Sequence, residues 1–474
     1  MLYKYSVLVI GAITNTEYNV YGGAEKLNKT DCFLERIEDF KKQEIPTDVY
    51  QRAKLALLDY IGVTIAGLKE QRSKIDCLIE AFSDEGGEIR PIGLQNTMSM
   101  NNAVFLNGLN GHALDFDDGT NAGIIHLGSP IFSVLLPLAQ KYHFDGETLL
   151  RAAIYGYETS FTMARTIQPT HKKRGYHATA TCGLLGIAVA VSEALKYSPK
   201  ETKDAFSTAA VSATGTLKVL EDGSQLKPYN VGKTALLGLT ATQMAKAGFD
   251  TPDDALSGTA GYLCQLYGTD EVEFVSPLLD GTYAIEKAYI KPYAACRYTH
   301  PSIDIAKDLR KNKVIDASEI EYVKIKTYSL AVKKHDHTEI KGSASAKMSI
   351  PYNFAVTYVL GKTGMEAFTE ESLNNSQVQA LTKKIIVEED SEMTAAFPEK
   401  TIATAEIVLK DGSVLSGESI LPKGEPENPL SLEEVIEKFS ALASYGGKTE
   451  EDISQIVDAV LNVEDKLDLL IKII

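Results

Sequence analysis

Residues 111–120 read Gly111-His112-Ala113-Leu114-Asp115-Phe116-Asp117-Asp118-Gly119-Thr120, and His126-Leu127-Gly128-Ser129-Pro130 follows six residues later. Three carboxylates and two imidazoles therefore stand within fifteen residues, bracketed by glycines. Imidazole titrates near neutrality and a neighbouring carboxylate can orient it, so the combination suits acid–base chemistry. A solvated acidic loop or helix cap would use the same residues. A magnesium site of the aspartate-rich kind is a third reading, disfavoured because no convincing second magnesium motif accompanies it.

Further candidates lie at the ends of apolar stretches. His177 closes the basic connection His171-Lys172-Lys173-Arg174-Gly175-Tyr176 and precedes the very apolar residues 178–195, where a histidine at a helix start faces a site. Lys227, in Leu226-Lys227-Pro228, falls in a turn ahead of another apolar helix and is placed for a substrate carboxylate. Lys291, Arg297 and His300 cluster in residues 289–301, where the character of the chain changes, and domain junctions are preferred ligand sites. His112 reads as structural, and His143, His171, His335 and His337 as surface residues.

These residues need a scaffold. Apolar residues recur at helical spacing over 49–67, 71–82, 100–109, 131–141, 147–167, 178–195, 199–213 and 231–247. Pro46-Thr47 gives the first of these a start signal, and Ser129-Pro130 reads as N-cap and first helical residue. Beyond residue 275, segments 283–293 and 321–329 alternate as strands do, and 404–417 with Asp411-Gly412 at its centre reads as a hairpin. Helical stretches 301–311, 345–360 and 371–384 lie between them, and helix returns over 431–443 and 450–473. The fold class is mainly α: a large helical domain built from both chain ends, 33–275 and 421–474, with a smaller α+β domain inserted at 276–420. Residues 1–32 form an N-terminal extension that lacks the cleavage site of a signal peptide.

Composition narrows the function. With 474 residues the chain is long enough for two cores. A formal charge of -16 argues against nucleic acid, which is bound through clustered cations. No apolar run reaches the roughly 18 residues of a membrane span. Cys32, Cys77, Cys182, Cys264 and Cys296 are odd in number and scattered, which suits reduced thiols and a cytoplasmic location.

Taken together, several stretches resemble the MmgE/PrpD family, whose reactions include 2-methylcitrate dehydration, cis-aconitate decarboxylation and iminodisuccinate epimerisation. They are Ala53-Lys54 with Leu57-Leu58-Asp59 and Ala66-Gly67, the acidic motif 111–118, Gly156-Tyr157-Glu158 with Arg165, Gly175-Tyr176-His177, Leu226-Lys227-Pro228 with Gly232, Lys291-Pro292-Tyr293, and Ala346-Lys347-Met348-Ser349-Ile350-Pro351-Tyr352. The resemblance covers residue 33 to the C-terminus. It implies a helical domain with an α+β lid, a homodimer, a di- or tricarboxylate substrate between the domains, and neither metal nor organic cofactor. It implies Asp115, His126 and His177 as catalytic residues, with Asp115 orienting His126, and Thr120, Lys227 and Lys291 as substrate ligands, to which Arg297 is added. Cys296 stands where the decarboxylase carries a histidine, which speaks for a dehydratase, or an epimerase, over a decarboxylase. A carboxylate-binding protein without catalysis is the remaining alternative.

Overall fold

The computed structural model describes residues 28–82, 86–276, 281–312 and 314–474. Most of the expected extension, residues 1–27, lies outside that set. Its last residues already belong to a helix, Lys29–Lys41, capped by the Asn28 side chain.

Helices longer than ten residues are numbered here in chain order: α1 Lys29–Lys41, α2 Thr47–Glu70, α3 Arg72–Phe82, α4 Met100–Gly111, α5 Gly128–Tyr142, α6 Gly146–Ile167, α7 Gly183–Ala194, α8 Pro199–Val211, α9 Lys227–Lys246, α10 His300–Asn312, α11 Ile350–Leu360, α12 Leu432–Tyr445, α13 Glu450–Leu461 and α14 Val463–Ile473. Starts are marked chemically. Asp145 caps α6, and Ser198 with Glu201, Ser431 with Glu434 and Thr449 with Asp452 form capping boxes at α8, α12 and α13. None of the described helices is long and apolar enough to cross a membrane.

Two main cores result. The larger joins α1, α2 and α5–α8 to the returning helices α12–α14. Close crossings set its geometry. A Cβ on Gly186 of α7 would lie 1.9 Å from Ser160 Oγ and 2.6 Å from the Gly156 carbonyl oxygen of α6. At the crossing of α4 and α9, a Cβ on Gly108 would meet Gly232 Cα at 3.0 Å. That approach brings the start of α9, and with it Lys227, beside the acidic loop that follows α4.

The second core lies under a four-stranded sheet of order β2-β1-β3-β4. Strand β1 (Ile320–Thr327) pairs in parallel with β2 (Ile385–Glu389) and antiparallel with β3 (Ala403–Leu409), which forms the expected hairpin with β4 (Val414–Ser419). Ile320, Val323 and Ile325 are buried with residues of α10 and α11. Leu114 and Phe116, from the acidic loop, belong to this same core.

Local chemistry overrides several expectations. Residues 283–293 form no strand: Glu286 accepts the Tyr283 N–H and closes a 3-10 turn, Ala284–Lys287, after which Tyr289 makes a single bridge to Gly119. The apolar run 178–195 is two helices, Ala178–Thr181 and α7, meeting at Cys182. Residues 345–360 divide at Ser349, whose hydroxyl caps α11; 371–384 divide at Asn374 and Asn375; 450–473 divide at Asn462. Strand β2, unforeseen, occupies residues between the stretch expected to be helical, 371–384, and the expected hairpin. Nor does Ser129 cap α5: it lies inside the first turn, and its Oγ bonds Asp117.

His171 and His335 are buried, contrary to the surface placement expected of them. His171 Nε2 pairs with Thr181 Oγ1 at 2.9 Å, and His335 Nδ1 with the Met348 carbonyl at 2.8 Å. Burial pulls the His171 imidazole down to about 4, with Arg174 adding to the shift. A depressed histidine contributes stability above its unfolded value of about 6.5 that is lost as pH falls toward the folded value. Urea unfolding midpoints should therefore drop between pH 6.5 and 4, and His171→Gln should remove part of that drop. In a separate test at neutral pH, Gly186→Val should lower the unfolding free energy by about 1–3 kcal/mol through overpacking of α6 against α7.

Candidate functional site

Four segments build the site. The loop between α4 and α5 carries the acids and His126, His177 stands just ahead of the short helix Ala178–Thr181, Lys227 opens α9, and residues 289–297 supply Lys291. Lys227 is the first residue of its helix and not a turn residue before it. Gly119 and Tyr289 exchange backbone hydrogen bonds of 3.2 and 2.8 Å, and this bridge sets Lys291 against Asp115.

Asp115 is the centre. Its Oδ1 accepts from Lys227 Nζ at 2.6 Å and from Lys291 Nζ at 2.9 Å, and its carbonyl accepts from Lys291 at 2.6 Å. Burial alone would push this carboxyl up, but the two ammonium groups hold it well below the usual carboxylate range. Lys227 is half-buried, and Asp115 more than offsets the cost of its desolvation, raising its affinity for the proton. Two cations against one anion leave this cluster positive, which suits a substrate carboxylate or charge developing next to one.

His126 lies between two acids. Its Nε2 is 3.8 Å from Asp115 Oδ1, and its Nδ1 is 3.3 Å from Asp117 Oδ2, off the line of a well-formed hydrogen bond. Its backbone N–H donates to Thr179 Oγ1 at 3.0 Å. Asp117, not Asp115, is the nearer carboxylate. Asp117 Oδ2 also takes Ser129 Oγ and His112 Nδ1, both at 2.8 Å, and despite its burial the imidazoles hold its carboxyl well below the ordinary range. His112, pulled down to about 4 by burial, is neutral at physiological pH.

His177 is buried and held well below its ordinary value by desolvation and by His112 and Lys227. Its Nδ1 faces the Asn230 side-chain nitrogen at 3.3 Å. An amide N–H there makes Nδ1 the acceptor, which leaves the ring proton on Nε2. The ring centres of His177 and His112 are 5.8 Å apart, and those of His112 and His126 are 4.6 Å apart, so three imidazoles form one group.

The remaining residues have other attachments. Thr120 is buried, its N–H bonded to the Ile125 carbonyl and its Oγ1 accepting from Gly123 N–H, so it closes the loop ahead of His126. Arg297 has partners other than Asp115. Its Nη2 is 2.6 Å from Glu425, its Nη1 bonds His300 and the Lys423 carbonyl, and its guanidinium lies over the Tyr289 ring. Asp118 accepts from Gly128 N–H and Tyr157 Oη, fixing the start of α5, and burial pushes it up to about 7. The half-buried Cys296 thiol is raised by burial and by Asp115.

Among the described residues, His112, Asp117 and His126 form the one group able to present three metal-ligand atoms, which lie within 4.8 Å of one another. As they stand, the imidazoles share a carboxylate.

Sequence reasoning located Asp115, His126, His177, Lys227 and Lys291, and the structure gathers them. The roles of Asp117 and His112 escaped it, although both stand in the motif; a carboxylate between two histidines was the available signal. The pairing of Arg297 with Glu425 had no signal, since it joins residues far apart in sequence.

Comparison with known proteins finds relatives along most of the chain. The MmgE/PrpD N-terminal domain matches residues 33–275 and the MmgE/PrpD C-terminal domain matches residues 293–463. Cis-aconitate decarboxylase of Homo sapiens is 26% identical over 457 residues, 92% of either chain, and that of Aspergillus terreus 23% over 453 residues, 90% of this chain and 91% of the other. The mitochondrial 2-methylcitrate dehydratase of Yarrowia lipolytica is 26% identical over 239 residues, 48% of this chain and 45% of its own. With both domains matched across most of its length, the chain belongs to the MmgE/PrpD family.

Proposed function

We propose that the chain is a lyase that removes a proton from a carbon next to a carboxylate of a di- or tricarboxylate, and that its reaction is dehydration of a 2-hydroxy acid in the manner of 2-methylcitrate dehydratase. The observation that carries this reading is the Asp115 carboxylate shared by Lys227 and Lys291 beside His126. Two ammonium groups supply charge for a substrate carboxylate and for the carbanion-like state that follows proton loss. His126 acts as the base, with Asp117 and Asp115 flanking its two nitrogens. His177, neutral and with its proton on Nε2, acts as the opposing donor. Thr120 shapes the loop and Arg297 supports the substrate side from its pairing with Glu425. The second core, over residues 276–420, acts as a lid on the helical body, and the active species is a homodimer in the cytoplasm.

Decarboxylation is the second reading, favoured by one observation: the similarity to cis-aconitate decarboxylases runs the length of both chains, whereas that to the dehydratase covers about half. Both reactions place negative charge on a carbon next to a carboxylate. They part at the product. With 2-methylcitrate, a dehydratase yields an alkene absorbing in the ultraviolet; with cis-aconitate, a decarboxylase releases carbon dioxide. Epimerisation would instead leave deuterium at the α-carbon of recovered substrate in deuterated water, tested with tartrate and aspartate-derived acids. We expect alkene formation; binding by calorimetry without turnover of any of these acids would overturn the enzyme reading.

Substitution tests the roles. His126→Gln should lower kcat by roughly 10²–10⁴-fold, the usual contribution of general base catalysis. Lys227→Met should act chiefly on KM, and steady-state kinetics on the two variants separates the effects.

A further inference from the structure

Three ammonium groups from distant parts of the chain take three consecutive carbonyls of the acidic loop. Lys347 Nζ donates to the Leu114 carbonyl at 3.2 Å, Lys291 Nζ to the Asp115 carbonyl at 2.6 Å, and Lys438 Nζ to the Phe116 carbonyl at 2.8 Å. Lys291 also serves the Asp115 carboxylate. Lys347 and Lys438 touch none of the residues assigned to substrate or proton transfer, yet they hold the residues immediately before and after Asp115.

Both are unusual lysines. Lys347 is buried in the short helix Ser343–Met348, against the Phe368 ring, and among the described residues its ammonium forms no ion pair. A cation placed in low dielectric against a lone carbonyl is costly, and burial pulls this amine down to about 8. Lys438, on α12, sits over the Phe116 ring at 4.0 Å and pairs with buried Asp59 of α2 at 2.5 Å. The backbone they flank is itself unusual: Asp115 has φ of 53°, in the left-handed region that non-glycine residues adopt at a cost and aspartate more readily than most.

We propose that Lys347 and Lys438 are positioning residues, which clamp the loop on either side of Asp115 and so set the direction of its carboxylate toward Lys227, Lys291 and His126. The two ends of the clamp come from different cores. Lys347 belongs to the sheet side and Lys438 to the returning helix, so the loop takes its active shape only where both meet. This inference rests on the acid–base reading for its kinetic effect, but its structural claim is independent of which reaction occurs.

The experiment uses the full chain with Lys347→Met, Lys347→Arg, and Lys438→Met combined with Asp59→Asn so that no buried carboxylate is left unpaired. Amide hydrogen exchange, followed by mass spectrometry, should quicken in peptides covering residues 112–120 of both Met variants and stay unchanged in peptides of α6. With 2-methylcitrate or cis-aconitate, whichever turns over, kcat should fall on the order of 10–100-fold in Lys347→Met, as small misplacements at a site do, while KM stays within about threefold. Lys347→Arg, which keeps the cation, should restore part of the rate. Unchanged exchange over 112–120 would overturn the clamp, as would a rise of equal size throughout the chain. If neither acid turns over in the parent protein, the proposed function fails, and the exchange result alone decides the clamp.

Discussion

An aspartate buried between two lysines is the constraint on which the rest of the structure depends. Asp115 could not be ionised at its depth without Lys227 and Lys291, and the Lys291 ammonium could not be buried so fully without Asp115. Satisfying all three at once requires α9 to start, and the segment after residue 289 to pass, within hydrogen-bond reach of one loop. The close crossing of α4 and α9 at Gly108 and Gly232 meets the first requirement, and the bridge between Gly119 and Tyr289 the second. The fold's small residues and irregular turns are in this sense set by electrostatics.

The division of labour among the three acids follows from what each touches. Asp115 faces cations, Asp117 faces imidazoles, and Asp118 faces a helix start and a phenol. Neighbours in sequence therefore differ in charge state: two are held ionised while the third is pushed up to about 7. A run of like residues in a motif need not share a role, because alternate side chains of an irregular loop enter different environments.

How much of this was legible from residues alone can be read from particular cases. The helical body was, because the apolar spacing of segments such as 49–67 reports directly on one buried face. Asp115, His126, His177 and the two lysines were singled out by residue type and by their places beside apolar helical stretches, and they stand together in the structure. Lost were features decided at long range or by local competition. Lys438 and Phe116 lie far apart in the chain, and nothing at either position announces the other. Residues 283–293 alternate as a strand does, yet a glutamate three residues on captured the N–H that pairing would have used. Strand β2 is short and pairs in parallel, so its register comes from β1 and not from its own pattern.

The membership of Leu114 and Phe116 in the second core, while their loop hangs from α4 and α5 of the first, bears on how the molecule forms. Helix pairs close in the chain, such as α4 with α5 and α6 with α7, can find one another early. The loop has no equivalent shortcut. Its anchors lie 176, 233 and 322 positions downstream, at Lys291, Lys347 and Lys438, so chain closure over long spans must come first. The site takes its shape only once those spans are closed, and local helices can exist before they are. Recovery of ligand binding after denaturation is accordingly a stricter report of complete assembly than recovery of helix.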